Sequence, residues 1–298
     1  MHVLITGGTG LIGSALSKQL TADGHQVSVL SRQPAKVAGI CGASVRGVGK
    51  LTELDGETID AVVNLAGAPI ADRPWTKKRK QVLWDSRVTL TEELVAWLGQ
   101  QTVKPSVLVS GSAVGWYGDG GSTPLTEDSA SHHEYTHTLC DAWESAARRA
   151  SSHGIRVCLL RTGLVLASGG GFLQRMLPPF KLGLGGPIGS GRQYMPWVHR
   201  ADMIGIIMLL LQNPDCKGPF NANAPNPVTN REFVKTLGKV LGRPAVIPLP
   251  APVLKLALGE MSRLLLTGQN AVPEKVQQIG YQFHFAHLEA ALADVVKT

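Results

Sequence analysis

The chain has 298 residues, of which 44% are hydrophobic and 17% are charged, and its net charge is +7. This balance is typical of a globular protein with a sizeable core and excludes an intrinsically disordered chain. The positive charge is spread along the chain without the interleaved aromatic residues of a nucleic-acid platform, so we expect no nucleic-acid partner. The densest basic run, residues 77–80, is predicted to be a solvated helix face.

Cysteine spacing and the lengths of the apolar runs indicate the cellular location of the protein. The four cysteines show no CxxC or metal-ligand spacing, which predicts reduced thiols and no metal site. The sequence starts directly in a strand pattern with no signal peptide ahead of it. Its longest strongly apolar run, residues 203–211, is too short to cross a bilayer. We therefore expect a soluble, cytoplasmic protein without a membrane partner.

The first half of the chain alternates short β-type runs with amphipathic helical stretches. Strands are predicted at residues 2–6, 26–30, 61–65, 107–110 and 156–160. Helices are predicted from residue 11 to a stop at Gly24, at about 75–98 and at about 135–151. This alternation predicts an α/β fold with a parallel sheet that is doubly wound by helices.

The second half of the chain has a different composition and pattern. Residues 167–197 are rich in Gly and Pro, which predicts loops lying over a site. Residues 201–212 are typical of a buried helix, and Thr229 with Glu232 forms a capping box at the start of another. The predicted division is a nucleotide-binding domain of residues 1–168, with 198–224 packing back onto it, and a smaller, mainly helical substrate region of 169–197 and 225–298.

A glycine-rich turn, TGGTGLIG, follows the first predicted strand. Glycine lets the backbone turn tightly against a pyrophosphate, and the N-terminus of the next helix offers free N–H groups to the anion. At a strand–turn–helix junction this pattern predicts the dinucleotide site of a Rossmann-type fold. The predicted contacts are Gly7, Thr9, Gly10, Leu11, Ile12 and Gly13.

The end of the second predicted strand bears on which dinucleotide is bound. An NAD site usually places an acidic side chain there to bind the ribose hydroxyls, but residues 25–52 contain no Asp or Glu. The strand instead ends in Ser31 and Arg32, and a guanidinium suits the 2′-phosphate of NADP. We predict NADP(H), although an exposed strand-end arginine would look the same in the sequence.

The G-x-x-G-x-x-G spacing resembles the short-chain dehydrogenase/reductase superfamily, and the preceding Thr6 resembles its extended, epimerase/dehydratase-like branch. The resemblance implies that the backbone of DAVVNLAG passes close to the cofactor and that the backbone of LLRTGLVL lines the nicotinamide. It also implies that Arg87 flanks the cofactor and reaches the pyrophosphate, unless it forms a surface salt bridge. The implied contacts in these two segments are Leu65, Ala66, Gly67, Gly163, Leu164 and Val165.

The usual catalytic relay of this superfamily is incomplete. That relay has a Ser or Thr, a Tyr, and a Lys four residues after the Tyr that lowers its pKa. Ser112 matches the serine and Tyr135 the tyrosine, but Leu139 stands where the lysine is expected. Tyr135 or Tyr117 could still donate a proton as a neutral phenol, with Ser112 polarising the substrate oxygen. The nearby histidines 132, 133 and 137 are predicted to flank an exposed helix.

Long segments such as GWYGDGGSTPLTEDS, LGLGGPIGSGRQYMPWVH and GYQFHFAHLEAAL closely resemble YfcH-like epimerase family proteins, an atypical branch of unassigned substrate. The resemblance covers essentially the whole chain and implies that the missing lysine is a trait of the group. It implies substrate contacts at Arg192, Gln193, Tyr194, Trp197 and His199, of which Trp197 and His199 could equally be packing residues.

Two functions follow as hypotheses. The first is an NADP-dependent oxidoreductase or epimerase-like enzyme acting on a small polar substrate, for which a sugar nucleotide is one candidate. The second is a non-catalytic NADP(H)-binding protein that reports the redox state of the cofactor to a partner. The incomplete relay favours the second hypothesis. The Gly- and Pro-rich residues 167–197 and the C-terminal substrate region favour the first. The oligomeric state is left open.

Overall fold

The structure is a computed structural model that describes residues 1–297. The strands, in chain order, are β1 (His2–Thr6), β2 (Gln26–Leu30), β3 (Arg46–Val48), β4 (Ala61–Asn64), β5 (Val107–Ala113), β6 (Pro124–Leu125), β7 (Arg156–Thr162), β8 (Leu164–Leu166), β9 (Tyr194–Met195), β10 (Trp197–His199), β11 (Gly218–Ala222), β12 (Val228–Thr229) and β13 (Asn270–Ala271). The α-helices are α1 (Leu11–Ala22), α2 (Val37–Cys41), α3 (Lys77–Trp84), α4 (Leu90–Gln100), α5 (Tyr135–Arg148), α6 (Gly171–Lys181), α7 (Arg200–Gln212), α8 (Asn230–Leu241), α9 (Ala251–Leu258), α10 (Arg263–Leu266), α11 (Glu274–Gln278) and α12 (Leu288–Lys297).

Seven strands form one sheet in the order β11-β7-β5-β4-β1-β2-β3, and every neighbouring pair in it is parallel. The strand order reverses beside β1, where the chain leaves towards β2 on one side and returns to β4 on the other. In open parallel sheets ligands bind at such a switch point, outside the carboxyl ends of the strands. The short pairs β8·β10, β9·β12 and β6·β13 lie outside this sheet.

Both faces of the sheet are buried, which explains why its strands are mainly apolar. Val3 and Ile5 belong to a cluster that includes side chains of α1 and α7. Leu4, between them, points to the other face and belongs to a cluster with α4 and α5. Each such buried side chain contributes about 1.5–3 kcal/mol. The predicted fold class, a doubly wound parallel sheet of Rossmann type with a smaller, mainly helical C-terminal region, is confirmed.

The C-terminal half forms its own apolar cluster and also contacts the sheet. Leu173 of α6, Phe233 of α8 and Leu292 of α12 pack together with Trp197. α7 packs instead on the sheet, with Met203 and its neighbours in the same cluster as α1. The boundaries of the two predicted domains stay a prediction. No helix among residues 1–297 is long and apolar enough to span a membrane.

Several local features differ from the sequence-based prediction. Residues 167–197, predicted as loops, contain the helix α6. The two edge strands of the main sheet, β3 and β11, were not among the predicted strands. The helix predicted from residue 75 begins at Lys77, because the side chain of Thr76 accepts a hydrogen bond from the N–H of Arg79 and caps it. This helix also contains one π-helical turn, Asp85–Thr89, between α3 and α4. π-Helical turns are rare in proteins, and those that occur are often found at functional sites.

The junction of β1 and α1 is packed too tightly for a side chain, which can be tested by substitution. A Cβ on Gly13 would lie 2.5 Å from the carbonyl oxygen of Gly7, whereas a Cβ on Gly39 in α2 meets nothing within 4 Å. We expect Gly13→Ala to lower the free energy of unfolding by about 1–3 kcal/mol. We expect Gly39→Ala to leave it unchanged or raise it by up to about 1 kcal/mol. Urea unfolding of both variants measures this, and equal stabilities would contradict the packing described.

Candidate functional site

A buried polar network ties together the carboxyl ends of the central strands. The Thr6 hydroxyl at the end of β1 donates to Asn64 Oδ1 at the end of β4 (2.6 Å), and the amide of Asn64 donates to Thr91 (2.8 Å) and Ser110 (3.2 Å). The N–H of Ala66 in turn donates to the Thr6 hydroxyl (3.2 Å). These bonds satisfy polar groups that would otherwise be costly to bury, and they fix the backbone that leaves β4.

The glycine-rich turn lies directly against that backbone. Gly7 has φ 68°, and a Cβ there would lie 2.6 Å from the carbonyl carbon and oxygen of Leu65. α1 then begins after Gly10, which offers no side-chain cap, and its first turn carries no acidic residue. Thr9 and Gly10 are exposed. The turn therefore presents main-chain N–H groups and the positive end of a helix dipole, which together suit an anionic group.

The predicted 2′-phosphate residues follow β2 on the same edge of the sheet. The N–H of Ser31 donates to Val48 O of β3 (2.9 Å), and its hydroxyl accepts from the N–H of Gln33 (3.1 Å), so the position of this loop is fixed. Arg32 is exposed and makes no hydrogen bond or ion pair with residues 1–297. Its guanidinium is thus available to a ligand.

Arg87 lies in the π-helical turn and contacts the loop that follows β4. A Cβ on Gly67 would lie 3.0 Å from its guanidinium carbon, and Nη2 donates to the carbonyl of Ala68 (3.0 Å). The guanidinium lies 5.4 Å from the ring centroid of Trp143, and burial lowers the pKa of Arg87. Arg87 pairs with no carboxylate in the described part of the chain, so the surface salt bridge considered as its alternative role does not form.

The segment after β7 closes the other side of this edge. The N–H of Gly163 donates to Ala222 O, and that of Leu164 donates to Pro196 O (2.7 Å). A Cβ on Gly163 would lie 2.6 Å from Pro196 O, so the chain here passes through a narrow gap. Val165, partly buried, packs against the same cluster as Ile12 and Leu65. The predicted contacts Leu65, Ala66, Gly67, Gly163, Leu164 and Val165 are placed around one edge together with the turn of Gly7, Thr9, Gly10, Leu11, Ile12 and Gly13.

Ser112, the predicted polarising hydroxyl, is held by a buried ion pair. Its hydroxyl donates to Glu144 Oε1 (2.7 Å), which also accepts from Arg161 Nε (2.8 Å). Glu144 Oε2 accepts from Arg161 and from Arg148, both at 3.1 Å. The guanidinium of Arg161 lies 3.5 Å from the ring centroid of Trp116. In this conformation the Ser112 proton is committed to the carboxylate, and its catalytic role stays a prediction.

Tyr117, the second proton-donor candidate, is completely buried. Its hydroxyl donates to Asn221 Oδ1 (2.7 Å) and accepts from Arg161 (3.1 Å). Burial raises the pKa of Tyr117 to about 12, and the charge of Arg161 offsets this only in part. These contacts describe a structural hydroxyl within the same network as Ser112.

Tyr135, the first residue of α5, has a different environment. Its hydroxyl oxygen is buried and has no hydrogen-bond partner among residues 1–297. The ring centroid lies 4.8 Å from that of Trp75, and Lys80 Nζ lies 4.3 Å above the ring. Burial raises the pKa of Tyr135, and the positive charge of Arg87 acts in the opposite direction. Leu139, in the place of the usual lysine, is buried in the apolar cluster around Tyr135.

The basic run at residues 77–80, predicted to be a solvated helix face, is solvated only in part. Lys77 and Lys78 are exposed, but Arg79 Nε is buried without a partner, and Lys80 pairs with Glu260 at 2.6 Å. Met261, next to Glu260, packs in the apolar cluster that Tyr135 joins. Lys80 is thus held by the C-terminal segment, and Arg79 donates to the carbonyl of Pro69 in the loop after β4.

Two of the predicted substrate residues hold the C-terminal segment in place. The amide of Gln193 donates to Ile188 O (3.0 Å) and Leu265 O (2.7 Å). Tyr194 pairs with Thr229 between β9 and β12, and its backbone approaches Gly268 so closely that a Cβ there would lie 2.3 Å from Tyr194 O. Arg192, beside them, is exposed and its side chain has no partner among residues 1–297.

The other two predicted substrate residues are buried. Trp197 is 0% exposed and donates from Nε1 to Asn226 O (3.2 Å). His199 caps α7 by accepting from the N–H of Ala201, and its Nε2 lies 3.2 Å from Asp294 Oδ2. Burial lowers the pKa of His199. Both side chains have the contacts of packing residues, which was the alternative reading of the sequence.

The sequence analysis did not identify Glu144 and Arg161, which organise the interior of the site. Each is charged and lies among apolar residues, Glu144 on the inner face of α5 and Arg161 within β7. A charge at a core position needs a partner of opposite sign, and that was the available signal. Residues 1–297 contain no group of three or more His, Cys, Asp or Glu that could hold a metal ion.

The sequence matches the NAD dependent epimerase/dehydratase family over residues 3–222 and a domain of unknown function, DUF1731, over residues 249–295. The chain belongs to the NAD dependent epimerase/dehydratase family. The family predicted from the motifs is therefore confirmed. As a family member it is 38% identical to the human epimerase family protein SDR39U1 over 99% of this chain and 100% of that protein. It is 40% identical to the epimerase family protein MT2273 of Mycobacterium tuberculosis over 97% and 96% of the two chains.

Solved structures of other family members are also similar. The crystal structure of human SDR39U1 isoform 2 with NADPH matches with a TM-score of 0.90 and 37% identity, over 100% of this chain and 99% of that one. A nucleoside-diphosphate sugar epimerase from Corynebacterium glutamicum matches with a TM-score of 0.77 and 31% identity, over 99% of this chain and 58% of that one. The SDR39U1 homologue of Arabidopsis thaliana is named as chloroplastic, so the cytoplasmic setting of this family member stays a prediction.

The two arginines bound to Glu144 provide a matched pair of tests. Arg161→Met would leave a buried carboxylate without its main partner, and we expect it to lower the free energy of unfolding by about 3–5 kcal/mol. Arg148 is half exposed, so we expect Arg148→Met to cost no more than about 1 kcal/mol. Chemical denaturation measures both. Similar losses for the two variants would show that the Arg161 pair does not hold the interior.

Proposed function

We propose that this chain binds NADP(H) at the edge formed by the glycine-rich turn, the loop after β2 and the loop after β4. The residues present fit that cofactor. Gly7 and Gly13 leave room where any Cβ would collide with backbone, and the N-terminus of α1 is uncapped by a side chain. The exposed, unpaired Arg32 is the observation that carries the choice of NADP(H), because it follows β2 where an NAD site would have a carboxylate. NADPH in the human relative agrees with this.

Within this site each group of residues would have its own role. Main-chain N–H groups of the Gly7–Gly13 turn would hold the pyrophosphate, with the unpaired charge of Arg87 near them, and Ser31 and Arg32 would hold the 2′-phosphate. Leu65, Ala66 and Gly67 would lie along the cofactor, and Gly163, Leu164 and Val165 would lie beside its nicotinamide. When bound, NADP(H) supplies or accepts a hydride.

We further propose that the protein is an oxidoreductase or epimerase-like enzyme acting on a small polar substrate of the sugar-nucleotide kind. Tyr135 is the proton donor that the contacts favour, since its hydroxyl has no partner while those of Ser112 and Tyr117 are engaged. The charge of Arg87 favours the phenolate of Tyr135, which is the effect that lysine has in the usual relay. Support for the substrate class comes from the relative named as a nucleoside-diphosphate sugar epimerase.

A second candidate function is a non-catalytic NADP(H)-binding protein that reports the redox state of the cofactor. It is favoured by the commitment of the Ser112 proton to Glu144 and by Leu139 in the place of the lysine. The two candidates differ in one measurable property. A sensor requires different affinities for NADPH and NADP, since a ligand shifts an equilibrium only by its differential affinity. An enzyme requires turnover.

Cofactor selectivity tests the role of Arg32. We expect the protein to bind NADPH more tightly than NADH, and Arg32→Ser to weaken NADPH binding by on the order of tenfold to a hundredfold, the effect of one lost charge-assisted hydrogen bond. NADH binding should change by less than about twofold, because NADH lacks the phosphate. Isothermal titration calorimetry measures this. Arg46→Ser, at the amino end of β3 where Arg46 pairs with Glu57, is the control. Equal affinities of the wild type for the two cofactors would refute the Arg32 assignment.

The role of Tyr135 is tested by comparing two Tyr→Phe variants. In a metabolite screen with NADPH and NADP, we expect Tyr135→Phe to lower turnover by about a hundredfold or more, with NADPH affinity unchanged. Tyr117→Phe should leave turnover per folded molecule within about threefold and lower stability by about 1 kcal/mol, because it removes a buried hydrogen bond. If no metabolite is turned over and NADPH and NADP bind with very different affinities, the sensor is the better description.

A further inference from the structure

An exposed apolar surface lies on the C-terminal half of the protein. It is built from residues 182–184, which follow α6, and from residues 246–256, which run into α9. Of the eleven large apolar side chains that are exposed in the described chain, seven lie on it, so the clustering is not the usual scatter of single residues. We call it the apolar patch. Its members are Leu182, Leu184, Val246, Ile247, Leu249, Val253 and Leu256.

Backbone pairing holds these two segments side by side. The N–H of Ile247 donates to Gly185 O (3.0 Å), and that of Leu249 donates to Pro187 O (2.9 Å). Gly186 lies against the backbone of Ile247, where an added Cβ would be only 2.0 Å from its carbonyl oxygen. α9 follows at once, and Val253 and Leu256, three residues apart, share its outer face. The patch is therefore continuous.

The charged residues within the two segments of the apolar patch have one sign. No Asp or Glu occurs between Glu144 and Asp202, or between Glu232 and Glu260, so both segments lack acidic residues. Three exposed cations lie within three residues of a patch residue along the chain and form no ion pair with any part of residues 1–297: Lys181, Arg243 and Lys255. Glu260, four residues after Leu256, is already paired with Lys80, and Glu289, on α12, is already paired with Lys239. A partner of this surface must supply both an apolar environment and negative charge.

A second copy of the chain does not meet that requirement. A symmetric contact would place the same patch, with its three cations, against itself, and like charges brought together oppose association. The shape of the patch also argues against a groove for one fixed partner. Leu182 and Val246 are each 75% exposed and Leu256 is 91% exposed, so these side chains project from the surface.

We propose that the apolar patch docks on the surface of an anionic lipid bilayer. Projecting Leu and Val side chains would enter the region between headgroups and acyl chains, while Lys181, Arg243 and Lys255 would lie among anionic headgroups. The sequence analysis predicts no membrane partner because no segment can cross a bilayer, but a protein resting on the surface needs no such segment. This inference does not depend on the proposed NADP(H) function.

Vesicle co-sedimentation of the full chain tests the proposal. We expect binding to vesicles of phosphatidylcholine mixed with phosphatidylglycerol, and much weaker binding to phosphatidylcholine alone. Leu256→Glu should weaken partitioning by roughly tenfold or more, and Lys255→Ser by roughly fivefold. High salt should reduce binding of the wild type, because it screens the cations. Val103→Glu is the control, since Val103 is 56% exposed but lies outside the patch, before β5.

Three outcomes would overturn the proposal. The first is no preference for anionic vesicles. The second is an equal loss for Leu256→Glu and Val103→Glu. The third is a concentration-dependent dimer, seen by light scattering, that Leu256→Glu abolishes while vesicle binding is absent, which would make the patch an interface between copies. Thermal unfolding of each variant confirms that it is folded, so that misfolding is excluded as the cause of lost vesicle binding.

Discussion

The close approach of two backbones at the carboxyl edge of the sheet is the constraint on which the rest of the site depends. The turn at Gly7 lies against Leu65 and Ala66 at a separation that admits no Cβ, and Thr6 and Asn64 hold the two strand ends at that separation. This places the uncapped end of α1 at the point where the strand order reverses. The same packing fixes the turn while Thr9 and Gly10 stay exposed, so its main-chain N–H groups are accessible to an anion.

The interior beside this edge is organised around the buried ion pair of Glu144 and Arg161. In the usual relay, a serine, a tyrosine and a lysine share one catalytic task. Here Ser112 donates to Glu144, Glu144 pairs with Arg161, and Arg161 holds Tyr117. A buried pair of this kind is rigid because removing either charge leaves the other without compensation. Tyr135 is outside that network, and its buried hydroxyl has no hydrogen-bond partner among residues 1–297.

Local patterns predicted the fold and the phosphate-binding turn, but not the tertiary pairings. The strands that contain Val3 and Val62 are apolar because both faces are covered, and that signal lies within each strand. β3 has three residues, too few to show a pattern, and the π-helical turn keeps the helical periodicity on either side. Glu144 and Arg161 are 17 residues apart in different elements, so only the packing of α5 on β7 shows that they are partners.

The C-terminal segment that packs over Tyr135 bears on how the two candidate functions differ physically. The C-terminal segment is held there by two ion pairs, Lys80 with Glu260 and Arg263 with Glu134, by the burial of Met261 and by the hydrogen bond from Gln193 to Leu265 O. Burial of Met261 contributes about 1.5–3 kcal/mol, more than partly exposed ion pairs usually do. An enzyme with this arrangement would have to displace these contacts to bring a substrate to the buried hydroxyl of Tyr135. A sensor could use the same movement if one redox form of the cofactor favoured the displaced segment, since a ligand shifts an equilibrium only by its differential affinity.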